Sequence, residues 1–115
     1  MSEHDNGYGY AWKDWLANED PAYIKVNQPF SDYSAGEGRE LSIKHREMVM
    51  IGILAFRSRQ EAVVAHMRRA IAHGATKREL LESLYAAQVP GGGPTLSVGV
   101  QGLIQLEQED AFKNG

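Results

Sequence analysis

A carboxylate sits where the sequence has least room for one. Glu47 lies on one helical stripe with Ile43, Met50, Ile51 and Leu54, beside the longest apolar run of the chain, Met48 to Phe56. A buried acid must be paired, hydrogen-bonded or protonated, because an unpaired buried charge is too costly to keep. Two readings follow. Glu47 either closes an ion pair with an arginine of a neighbouring helix, or it works as a proton-handling group whose ionisation the fold sets. Burial pushes its pKa up and a protonated histidine nearby would pull it down, and the sequence does not say which wins.

His66, nineteen residues further on, is the imidazole best placed to join it. It shares a helical face with Ala62, Val63, Ala70 and His73, small or branched neighbours that leave space around the ring. A core histidine bonded to a backbone carbonyl would look the same. His73 fits a helix C-terminus, where polar and cationic groups are favoured. The two histidines are about 10 Å apart along a helix axis, and no His-Glu-x-x-His spacing exists, so no metal site is expected. Glu61 is a secondary acid–base candidate with a competing role in a helix cap. Arg57, Arg59, Arg68 and Arg69 form a basic cluster that suits either a solvated face or a substrate carboxylate. Gly91, Gly92 and Gly93 could turn backbone N–H groups toward an anion, although a glycine triplet alone is only a turn.

The elements that must position these residues are helices. Asp20-Pro21 reads as a helix start, with Pro29 limiting that helix and Ser34 to Gly38 a loop. The apolar helix from Leu41 carries hydrophobic residues nearly all round, the mark of a buried helix. Ser58-Arg59-Gln60-Glu61 and Thr76-Lys77-Arg78-Glu79 both read as capping boxes, and Gly74 as a left-handed cap between them. The helix after Thr76 turns Leu80, Leu81, Leu84 and Tyr85 inward. Val89-Pro90-Gly91-Gly92-Gly93-Pro94 breaks it, and a last helix runs from about Thr95 to Phe112. Residues 1–9 read as a loose tail and 10–115 as one domain. There is no strand signal: the fold class is all-α.

Composition closes off other functions. With 115 residues, 12 Lys and Arg against 15 Asp and Glu, and a net charge of −3, the chain lacks the basic footprint of a nucleic-acid or anionic-membrane binder. The helix–Gly74–helix unit superficially suggests a DNA-binding turn. Glu79 and Glu82 on its second helix oppose that reading. No segment approaches the ~20 apolar residues of a membrane span, and no export signal opens the chain, so a soluble cytoplasmic protein is expected. There is no cysteine, which removes disulfides and thiol catalysis.

The ordered set Leu41-x-x-Lys44-x-Arg46-Glu47, His66-x-Arg68, Gly74-x-Thr76-x-x-Glu79 and Gly92-x-Pro94 resembles the carboxymuconolactone decarboxylase family, over roughly Leu41 to Glu107. The resemblance implies a helical bundle burying Glu and His together, in homotrimers or homohexamers. The peroxidase-like branch of that superfamily carries a Cys-x-x-Cys pair where this chain has Arg59 and Ala62, which excludes thiol peroxidase activity. The branch that remains resembles decarboxylases of carboxylated lactones from aromatic-compound breakdown. Glu61 and Arg68 match positions of that branch, whereas Pro90, Gly91 to Gly93 and Arg69 depart from it.

The expected chemistry is loss of CO₂ from a carboxylated, conjugated lactone. The lactone carbonyl itself accepts the electrons, so no cofactor is needed. His66 would deliver the proton, Glu47 would orient its ring, and Glu61 would assist. Arg68, joined by Arg59 of a neighbouring subunit, would hold a carboxylate, and Gly91 to Gly93 would face the oxyanion. An isomerase or lyase on a different lactone or aromatic-derived acid would use the same proton shuttle. A catalytically silent oligomeric binder of small molecules is the other alternative.

Overall fold

The computed structural model describes residues 8–113. They form six helices and, among the described residues, no strand: α1 (Ala11–Glu19), α2 (Pro21–Ala35), α3 (Ile43–Phe56), α4 (Gln60–Ala72), α5 (Lys77–Gly91) and α6 (Gly93–Gln108). The fold is all-α. Helices α3 to α6 pack on one another, with α3 touching each of the other three, while α1 and α2 pair together and lean on α3. The core is built from Ile51, Val63, Met67, Leu80, Leu84 and Leu106, all fully buried. Truncating one such leucine to alanine typically costs about 2–5 kcal/mol. Gly99 lets α6 approach α5 closely, since a Cβ there would collide with the Leu84 side chain.

Local chemistry explains most helix ends. Asp20 caps α2 by accepting from the Tyr23 N–H, and Ser42 caps α3 by accepting from that of His45. The second expected capping box is present: Thr76 Oγ1 accepts from Glu79 N at 3.0 Å, and Glu79 Oε1 accepts from Thr76 N at 2.9 Å. Gly74, at φ +99°, ends α4. Its N–H reaches the Ile71 carbonyl while the Ala75 N–H reaches that of Ala70, the doubled closure of a Schellman motif.

The first expected capping box is not formed. Ser58 is consumed by the end of α3 instead, sitting at φ 57° while its N–H and that of Arg59 close onto Ala55 and Leu54. A residue held in that conformation cannot also cap α4, whose N-cap is Arg59 without a side-chain bond. Pro29 also acts differently from expectation, whereas the expected break over Val89 to Pro94 does fall there, at Gly92. Pro29 lies inside α2, and Pro90 lies in the last turn of α5. Each removes one N–H from the ladder, and the carbonyls left over belong to Lys25 and Ala86, both exposed, where water can serve them. The glycine run is therefore a helix end and a helix start meeting at Gly92, φ +90°, with no loop between. The last helix ends at Gln108, four residues before the expected limit. Tyr85 is 43% exposed, not inward.

Candidate active site

Glu47 is completely buried, and its two oxygens have three partners. Oε1 accepts from His66 Nδ1 at 2.6 Å. Oε2 accepts from Arg69 Nη1 at 2.7 Å and from the Tyr8 hydroxyl at 2.6 Å. The spacing of α4 accounts for this set. Arg69 lies three residues after His66, so both side chains leave the same side of the helix toward α3. Arg69 also donates to the Ala35 carbonyl at 2.9 Å. Arg46 of α3 donates to the carbonyls of Tyr33 and Ser34. Two guanidinium groups thus serve the orphan carbonyls at the C-terminus of α2, where positive charge is favoured.

The electrostatic contest over Glu47 is decided here. Burial alone would raise its pKa, but the hydrogen bonds from His66, Tyr8 and Arg69 outweigh it and hold the carboxyl below the ordinary range. An ionised carboxylate can only accept, so the proton in the 2.6 Å bond belongs to His66 Nδ1. His66 Nε2 has no hydrogen-bond partner among the described residues. The bond from Nδ1 fixes the tautomer that the ring takes when it is neutral. Burial and the adjacent Glu47 carboxylate push the Tyr8 phenol well above its usual range, so it stays a donor.

The other expected site residues are spread more widely. Arg68 follows His66 by two residues, about 200° around the helix. It points away and makes a two-pronged contact with Glu109 at 2.8 and 2.9 Å. Arg59 and Glu61 are exposed at the start of α4, close enough to Tyr10 for their charges to bear on its phenol, with burial the larger influence. Gly91 lines a groove of about 870 Å³ between α3 and α5, with Met48, Val49, Ile53 and Phe56, and neither Glu47 nor His66 is among its walls. Gly92 and Gly93 sit at the same helix junction. Lys44 and Glu79, two members of the sequence pattern, bind each other at 2.9 Å across α3 and α5. His73 Nδ1 lies 2.9 Å from the Arg69 carbonyl, as a helix-end histidine would.

Tyr8 was not among the expected site residues, and Arg69, named only within the basic cluster, is the neighbouring-helix arginine that pairs with Glu47. Arg69 had a readable signal, its three-residue spacing from His66. Tyr8 had none, since it comes from a stretch without periodicity. No cluster of three His, Asp or Glu side chains able to hold a metal occurs among the described residues. None of the helices is long and apolar enough to cross a membrane.

A helical bundle that buries a glutamate against a histidine from the next helix places the chain in the all-α class. Within that class, residues 21–103 match the carboxymuconolactone decarboxylase family, and the chain belongs to it. No curated protein and no solved structure matches the chain.

Proposed function

We propose that this chain is a cofactor-independent carboxy-lyase acting on a carboxylated lactone or related unsaturated organic acid. One observation carries the reading: an ionised Glu47 is bonded to His66 Nδ1, and Nε2 has no partner among the described residues. Loss of CO₂ from a conjugated lactone acid leaves an electron pair delocalised onto the lactone oxygen. His66 takes a proton from water at Nε2 and hands it to carbon, returning to the neutral ring, and the carboxylate of Glu47 stabilises the imidazolium form in between. Glu47 itself stays ionised throughout, because Arg69 and Tyr8 occupy its second oxygen. Its role is to orient and stabilise, and His66 alone changes protonation. Arg59 is the candidate for the substrate's second carboxylate, since Arg68 is already engaged by Glu109.

The test is turnover of a panel of carboxylated lactones and enol acids. Wild type is expected to release CO₂ from at least one. His66→Ala should lose about 10²–10⁴-fold in kcat, the range general acid–base groups supply. Unchanged turnover in His66→Ala would reject the reading. Isomerised product without CO₂ would move the chain to the isomerase alternative, with the same residues in the same roles.

We also propose that the chain works as a homo-oligomer. Val49, Ile53 and Phe56 of α3 are 57%, 54% and 61% exposed, on a helix whose sequence is apolar nearly all round. A second copy covering that groove is the assembly that would bury them. Light scattering on the eluted protein should give a trimeric or hexameric mass.

A further inference from the structure

The aromatic segment before α1 lies outside the stretch that matches the family, which begins at residue 21. Its first described residue nevertheless reaches the centre of the site. The Tyr8 hydroxyl donates to Glu47 Oε2 at 2.6 Å, and its ring lies 4.2 Å from the His66 imidazole, tilted by 35°. The Arg69 guanidinium stands 5.5 Å from the same ring. Tyr10 follows at 5.6 Å from Tyr8, and Trp12 at 5.9 Å from Tyr10, so a line of rings leads from the imidazole to α1.

Each contact has a separate consequence for the pair. With Tyr8 and Arg69 both on Oε2, the carboxylate cannot rotate without breaking two charge-assisted bonds, and Oε1 stays aimed at His66. The tilted ring shields one face of the imidazole, whose side chain is only 13% exposed. We propose that Tyr8 is a positioning residue of the Glu47–His66 pair and a cover on its imidazole. This rests on reading that pair as the working site, and it adds that the segment before α1 controls both the aim of the carboxylate and access to Nε2.

Reactivity toward diethylpyrocarbonate tests this without any substrate, because the reagent acylates the neutral imidazole at an accessible nitrogen. The rate at each histidine of the full chain is followed by peptide mapping at neutral pH. Tyr8→Ala removes ring and hydroxyl and should speed modification of His66 by about tenfold. Tyr8→Phe keeps the ring and should give roughly threefold, the share of the lost hydroxyl. His45 and His73, both exposed and bonded to Ser42 and to the Arg69 carbonyl, serve as internal controls and should not change. An unchanged His66 rate in Tyr8→Ala overturns the proposal. So does equal acceleration of all three histidines, which would show general loosening. Turnover of His66→Ala tests the catalytic reading separately, so failure of the one is distinguishable from failure of the other.

Discussion

Helix α3 presents two sides that look alike in sequence and behave oppositely in the folded chain. On the inner side, a charged residue is wholly enclosed and has a partner for each of its oxygens. On the outer side, Val49, Ile53 and Phe56 face open space along the groove shared with α5. Polarity therefore does not sort the residues of this helix into inside and outside. Completion does. The acid side is satisfied within one chain, whereas the apolar side stays open along the groove.

Substitutions on the inner side should have the largest effects. Glu47→Ala leaves the Arg69 guanidinium without its carboxylate, and loss of one partner of a buried pair costs about 3–5 kcal/mol. Urea unfolding of the two proteins measures it, and a loss under about 1 kcal/mol would mean water reaches the cluster freely. On the outer side, Phe56→Glu should weaken association by at least about tenfold while leaving the helical signal intact, since a buried aromatic anchor is worth 2 kcal/mol or more. A variant that stays assembled would place the contact elsewhere.

Acid sharpens the contrast further. The unfolded chain protonates Glu47 near 4.5, and the folded chain does so only at lower pH. Its stabilisation is complete above 4.5 and is lost as pH falls through the folded value, at no more than about 1.4 kcal/mol per pH unit. Thermal melts from pH 5 to 3 should therefore fall less steeply for Glu47→Gln. Glu79 and Glu109, also held low by Lys44 and Arg68, should leave a residual slope in both. The smallest effect belongs to Arg68→Ala. Its exposed pair with Glu109 is screened by solvent, so the melting temperature and turnover should barely change.

What the sequence disclosed follows from the range of the interactions involved. The capping box at Thr76, the cap at Gly74 and the pairing of Glu47 with His66 all rest on short spacings or on one conspicuous buried acid. The turns at Ser58 and Asp110 use the same left-handed geometry as Gly74 but employ residues that do not advertise it. Pro29 was expected to limit its helix and did not, because an exposed carbonyl can go to water, whereas the break read at Val89 to Pro94 is there, at Gly92. Arg68 was preferred over Arg69 by pattern, although helix geometry favours the latter. Tyr8 was invisible because its partners lie 39 and 58 positions away, and nothing local announces such a contact.

The grip of Arg69 on the Ala35 carbonyl has a mechanical consequence. Helix α1 buries no residue and α2 buries only Ile24, so this pair of helices is the least firmly anchored part of the molecule. Detachment of the hairpin would release the guanidinium from its carbonyl tether long before the remaining four helices come apart. Amide exchange should accordingly run fastest along the hairpin. One guanidinium that grips the acid at the heart of the bundle is thus tied to the portion of the chain that holds on most lightly.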